Sequence, residues 1–138
     1  MSAGDTMQEE MMENFIKEAE AETEVIGEPY KRTIRHLVAP WTKVKSEHVW
    51  VGTTAVEPGF VSNAHKHDTQ EEIFYCLEGV GDLRINGVDI PMLPGDTLLV
   101  KPGNTHQVVN RGKEVFKLLA IVCPYFVKEG FKKDHKLS

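Results

Sequence analysis

Residues 59–79, GFVSNAHKHDTQEEIFYCLEG, decide how the rest of the chain is read. His65 and His67 stand at i and i+2, so on an extended strand both imidazoles leave from one face. Glu72 follows five residues after His67. That offset is odd, and an unbroken strand would point the carboxylate the other way. A turn must intervene, and Asp68-Thr69-Gln70 is the polar segment able to make it. Past the turn, Glu72-Ile73-Phe74-Tyr75-Cys76-Leu77 is rich in aromatic and apolar strand formers and is closed by Glu78-Gly79. Two adjacent antiparallel strands would then aim two imidazoles and one carboxylate into a common space. That makes three ligands of a divalent-metal site. The plainer reading of an H-x-H pair is polar surface on a half-exposed strand; Glu72 on the following strand favours the metal.

Outward from this hairpin, the chain reads as a series of short strands. Upstream are Arg32–Val38, ended by Ala39-Pro40, and a strand from about Glu47 to Val56, ended by Glu57-Pro58-Gly59. In the second of these, Trp50 is expected to fill core or shield one end of a barrel. Downstream, Asp82–Ile85 and Val88–Met92 flank Asn86-Gly87, the strongest short hairpin signal in the sequence. Thr97–Val100, His106–Val109 and Val115–Cys123 follow, separated by Pro94-Gly95-Asp96, Pro102-Gly103 and Asn110-Arg111-Gly112. Short strands with Gly or Pro turns every eight to twelve residues indicate an all-β sandwich or barrel. Residues 7–20 differ: Met7, Met11, Phe15 with Ile16, and Ala19 recur at four-residue intervals. They predict a short amphipathic helix, with Asp5 or Thr6 as its cap. The expected organisation is an acidic, partly helical segment over 1–30, a barrel over 31–125 and a basic, solvated tail over 126–138.

At 138 residues and 15.6 kDa the chain is long enough to bury one core without disulfides. A hydrophobic content of 41% and a charged content of 27% place it among ordinary soluble globular proteins. The net charge of -5 is uneven: residues 1–30 carry nine acids against Lys17 alone, and the remainder is slightly basic. No basic face argues for nucleic acid. No leader or membrane span is expected, since the longest apolar run, Leu118–Val127, is short and holds Pro124; a cytoplasmic protein is the default. Cys76 and Cys123 lie inside apolar runs and read as buried free thiols. His36 and His48 have no spacing argument and read as surface or strand-edge histidines.

Both halves of the central region resemble the cupin superfamily. Its first motif, G-x5-H-x-H-x3–4-E-x6-G, is met by Gly59, His65, His67, Glu72 and Gly79. Glu71 fits the shorter gap to His67 but breaks the spacing to Gly79, so Glu72 is the better ligand. The second motif, G-x5-P-x-G-x2-H-x3-N, is met by Gly95, Gly103, His106 and Asn110, with Lys101 where proline is expected and Pro102 one residue later. The resemblance implies a double-stranded β-helix barrel, frequently dimeric, with one divalent transition metal in its mouth held by His65, His67, Glu72 and His106.

Three imidazoles and one carboxylate leave a divalent ion a net positive charge and, at six-coordination, two open positions for water, dioxygen or a bidentate ligand. Such a set suits Fe, Mn, Ni, Zn, Co or Cu. Strand parity turns Asn63, Phe74, Cys76, Val108 and Asn110 inward with the ligands, and Lys66 and Tyr75 outward. Arg84 reads as solvent-facing rather than as a partner for a substrate carboxylate. His48 and Tyr125 are left as candidates for a general acid or base, and no catalytic residue is assigned. The expected function is a metal-dependent enzyme acting on a small oxygenated molecule, with dioxygenase-type oxidation placed first. A metal-dependent isomerase, decarboxylase or lyase on a sugar or carboxylic acid is the alternative, and a non-catalytic binding or sensor module the second. A homodimer is expected.

Overall fold

The computed structural model describes residues 2–125; the expected basic tail lies outside the described residues. Nine strands follow a short helix, α1 (Ala3–Met12). They are β1 (Glu22–Ile26), β2 (Arg32–Val38), β3 (Trp50–Val56), β4 (Glu71–Glu78), β5 (Gly81–Ile85), β6 (Val88–Met92), β7 (Thr97–Val100), β8 (His106–Val109) and β9 (Phe116–Cys123). One sheet has the order β1-β2-β3-β9-β4-β7 and the other β6-β5-β8. All pairings between these strands are antiparallel. The two sheets face each other as a double-stranded β-helix, and the alternation of side chains decides what lies between them. β9 turns Phe116, Leu118, Ala120 and Val122 inward, and β4 turns Glu72, Phe74 and Cys76 inward. From the smaller sheet Leu83, Met92 and Val108 close the core. The expected turn at Asn86-Gly87 is present with φ of 50° and 80°, the positive pair that a two-residue hairpin needs. Among the described residues, no helix is long and apolar enough to cross a membrane.

The structure corrects several local expectations. The helix begins and ends earlier than the apolar spacing predicts. Ser2 caps it through a reciprocal pairing with Asp5, and it stops at Met12. The chain then makes a 3₁₀ turn at Glu18–Glu20 and lays it against the larger sheet, where Glu18 reaches Thr53 Oγ1 at 2.7 Å and Lys117 Nζ at 2.6 Å. A continuous helix through residue 20 could not make those contacts. Residues 22–26 form β1, paired along its whole length with β2. His36 is buried rather than at a surface, and Cys123 is exposed rather than buried. Cys123 is the last residue of β9 and, by the strand's alternation, falls on the outer face with Lys117, Leu119 and Ile121.

The largest correction concerns the His65–His67 segment. It is not the neighbour of the strand carrying Glu72. Residues 59–67 run extended beside β8, in the smaller sheet: Ser62 N–H donates to Val108 O, His65 and His106 exchange backbone hydrogen bonds, and Gly103 N–H donates to His67 O. Glu72 comes from β4 in the opposite sheet. The turn at Asp68-Thr69-Gln70 therefore carries the chain from one sheet to the other.

Candidate metal centre

Three side chains from one sheet and one from the other converge near the barrel's interior. The ligating atoms of His65, His67, Glu72 and His106 all lie within 4.8 Å of one another. Glu72 Oε1 is 3.0 Å from His67 Nε2 and 3.1 Å from His106 Nε2. The imidazoles of His65 and His106 stand 4.2 Å apart, centre to centre, and Phe74 lies edge-on to His106 at 5.7 Å. His67, Glu72 and His106 are buried and His65 half-buried; Glu72 stands on the inward face of β4, His106 opens β8, and His65 and His67 share one face of the extended segment beside it.

The backbone also fixes the rings. His65 Nδ1 is 3.1 Å from Asn63 O, and His106 Nδ1 is 3.4 Å from Asn104 O. A carbonyl oxygen only accepts, so each Nδ1 holds a proton and the neutral ring presents its lone pair at Nε2. Burial, with the nearby His106, pushes the His65 ring down to about 3, so it is neutral at ordinary pH. Burial pulls the Glu72 carboxyl upward. A proton on the facing ring nitrogens of His106 and His67 outweighs that, and with it in place the group is held below the usual carboxylate range.

These residues suit a divalent transition ion. Ligand atoms about 2.1 Å from a common ion and at right angles to each other stand about 3.0 Å apart. The two recorded N···O separations, 3.0 and 3.1 Å, match that spacing. A lone pair on His106 Nε2 facing a carboxylate at this distance is repulsive unless a proton or a cation lies between them. The donor set of three imidazoles and one carboxylate suits the middle and late first-row metals rather than Ca²⁺.

Next to the four side chains is a cavity of about 30 Å³, counted as space open to the centre of a water molecule and so enough for one or two waters. Its walls include Arg32, Trp50, Thr54, Ser62 and Phe74. Arg32 is the residue the sequence reading passed over. It is 2% exposed, and its guanidinium donates to Asn63 Oδ1 at 2.7 Å and to Tyr30 O at 2.9 Å. Burial lowers it to about 10, which leaves it cationic at neutral pH. The available signal was parity: Arg32 shares a face of its strand with Ile34, and a guanidinium on an apolar face must have a use for its charge.

The other candidates fall outside the cavity. His48 and Tyr125 are exposed and neither contributes to the cavity wall. Arg84 is paired with Asp89 at 2.7 Å on the outside of the β5–β6 hairpin, and Arg111 joins the same carboxylate. Lys66 and Tyr75 point outward as parity requires, and Asn63, Phe74, Cys76, Val108 and Asn110 are buried.

With this geometry in hand, the resemblances to known proteins become specific. Over 65 residues, 47% of this chain, the sequence is 35% identical to the oxalate-binding protein of Thermotoga maritima, covering 54% of that protein. It is 26% identical over 90 residues to the tetracenomycin polyketide synthase protein TcmJ of Streptomyces glaucescens, covering 65% of this chain and 60% of that protein. The alignments thus span little more than half the length of these relatives. Among solved structures, one described as a predicted oxalate decarboxylase from Thermotoga maritima matches with a TM-score of 0.69 at 24% identity, over 80% of this chain and 98% of that one. At that identity the likeness is one of fold. A family model for the cupin domain matches residues 52–122, which contain both histidine-bearing segments and Glu72. The chain belongs to the cupin family.

Proposed function

We propose that this cupin holds one divalent transition metal on His65, His67, Glu72 and His106 and acts on a small carboxylate-bearing molecule, with oxidation by dioxygen as its chemistry. The observation that carries the reading is the convergence of four ligating atoms, all within 4.8 Å, beside a cavity walled by a buried arginine. The metal supplies a Lewis acid and, when redox-active, electrons for dioxygen. His65 and His106 present fixed lone pairs because Asn63 O and Asn104 O hold their other ring nitrogens. Arg32 supplies a positive charge for a substrate carboxylate, and the planar guanidinium favours a carboxylate over a neutral hydroxyl. Thr54 and Ser62 are the hydroxyls within the wall. Among the described residues of the wall, Glu72, His65 and Arg32 are the only titratable groups, and two of these are ligands in this reading. Chemistry that needs a separate proton shuttle is therefore disfavoured relative to oxidation.

The test is metal content followed by oxygen uptake on Fe(II)-loaded protein with oxalate and small 2-oxo acids. Uptake that disappears in His106→Ala supports the reading. Tight binding of these anions with no uptake and no product removes the oxidation step. It leaves the second reading, binding without turnover, which the 35% identity to an oxalate-binding protein favours. A homodimer in the cytoplasm completes the proposal. Support for the dimer comes from the outer face of the larger sheet, where Ile73, Tyr75 and Leu99 are exposed side by side.

A further inference from the structure

Two small residues in one row of the larger sheet shape the cavity wall. Across β4, β9 and β3 the register aligns Glu72 with Val122 and Trp50, and aligns Phe74 with Ala120 and Gly52 in the row below. All six of these residues face inward. Ala120 and Gly52 leave the lower row short of side-chain volume. The two halves of that gap are used differently. Ala120 forms part of the cavity wall, while the Gly52 half is filled by the indole of Trp50 folding back along its own strand. A Cβ on Gly52 would lie 2.5 Å from Arg35 O and from Trp50 Cη2 and Cζ2, so a side chain there would meet both the neighbouring backbone and the seated ring.

A second, independent contact fixes the same ring. Trp50 Nε1–H donates to His36 Nδ1 at 3.0 Å, and His36 sits directly opposite Gly52 on the neighbouring strand. An indole N–H only donates, so Nδ1 of His36 holds the lone pair and its ring proton is on Nε2. That nitrogen faces Glu24 Oε1 of β1 at 3.9 Å. Trp41 packs edge-on against the imidazole, 5.5 Å between ring centres. An imidazole buried to 2% exposure is thus braced from three strands and loops, and its visible effect is to hold one aromatic wall of the cavity.

We propose that Trp50 is the specificity-determining residue that limits ligand size at the metal position, and that His36 and Glu24 are positioning residues that keep its indole over Gly52. This rests on the metal reading above and adds to it that the indole discriminates by bulk between ligands that share one metal-binding group. With Trp50 in place the cavity is about 30 Å³. Losing the indole opens the Gly52 half of the gap, while the four histidine and glutamate ligands keep their supports.

The experiment uses Co²⁺-loaded full-length protein, whose visible absorption reports ligands entering the metal position. Two pairs of probes are titrated: imidazole against 4-phenylimidazole, which share the coordinating ring and differ by a phenyl group, and oxalate against 2-oxoglutarate. In the wild type the larger member of each pair binds far more weakly. In Trp50→Leu and in His36→Leu the ratio of dissociation constants, large over small, falls by about tenfold or more. In His36→Gln, whose amide oxygen still accepts the indole N–H, the ratio stays at the wild-type value. A purely structural role would lower melting temperature in all three variants and leave the ratios alone. Should Trp50→Leu not fold, Trp50→Met makes the same comparison. An azole ratio that does not move overturns the proposal. An azole ratio that moves while neither acid binds upholds the size wall and removes the carboxylate reading. A wild type that takes up no Co²⁺ overturns both, since a wall with no metal behind it selects nothing.

Discussion

Glu72 is the one proposed ligand contributed by the larger sheet, and its isolation makes it the most sensitive of the four. Glu72→Gln keeps the volume but removes the charge that offsets a divalent ion, and it places an amide against two imidazole nitrogens at 3.0 and 3.1 Å. We expect it and His106→Ala to abolish metal retention in equilibrium dialysis. The loss should exceed the ~10–100-fold typical of an outer-shell change. Arg32 separates from these cleanly. Arg32→Met should leave metal content intact and weaken oxalate binding by at least about tenfold, measured by calorimetry on loaded protein. Equal weakening of metal and anion would show that Arg32 serves packing alone. At this level the sequence was informative where a motif spaced the residues and silent where only register could. His65, His67, Glu72 and His106 follow from spacing and family resemblance. Arg32 and His36 do not, because a charged or polar side chain on an apolar strand face looks the same whether it lines a cavity or a solvated edge. Only the opposite strand decides.

Elements were readable to the extent that their side chains alternate. The strands from β2 to β9 were each anticipated to within a few residues, because turn residues bound them and one face of each is buried. β1 was missed because its sequence, ETEVI, leaves its residues exposed or half-buried, so no period shows. The helix was placed late because capping by Ser2 outweighs the spacing of Met11 and Phe15. What holds the segment after α1 is electrostatic. Burial raises the Glu18 carboxyl, but hydrogen bonds from Lys117 and Thr53 and the charges of Lys117 and Arg35 outweigh it, so the group is held below its ordinary value. A depressed carboxylate adds stability above the unfolded value near 4.5 and loses it as pH falls through the folded one. The segment is therefore expected to detach as pH falls below the ordinary carboxylate range. Hydrogen exchange over residues 13–21 should show this in the wild type and, in Glu18→Gln, show fast exchange already at neutral pH. The effect on global stability is under about 1 kcal/mol, because the pair is partly solvated. A turn gives a larger effect: Gly79 has φ of 77°, and a Cβ there would stand 2.2 Å from Val115 O. Gly79→Ala should destabilise the fold by roughly 1–3 kcal/mol or more in denaturant melts.

For the whole molecule, two sheets enclose one core, and the helix and the larger sheet still show apolar surface to solvent. The all-β barrel was evident from the sequence because turn spacing and alternation agree along the chain. The site's layout across both sheets was not, because His65 and His67 could have paired with either neighbour, and only the hydrogen bonds to β8 resolve it. The outer face of the larger sheet has its own consequence. Ile73 on β4 sits between Leu99 on β7 and Ile121 on β9, and Tyr75 is paired with Leu119, so these five side chains form one continuous apolar surface. Ile73, Tyr75 and Leu99 are 37%, 41% and 45% exposed, and no charged side chain interrupts the row between them. A patch of that kind on a small domain costs solubility unless something covers it. A second copy is self-complementary to it when the two sheets pack face to face about a twofold axis. On that argument the chain is expected to run as a dimer of about 31 kDa, twice its 15.6 kDa, in light scattering at micromolar concentration. Ile73→Glu with Tyr75→Glu should bring it to the monomer mass. Both side chains face away from the cavity on a strand whose inward residues are Glu72 and Phe74, so the double variant keeps its metal content. A wild type that is monomeric at all concentrations rules the interface out, and a double variant that stays dimeric moves it to another face.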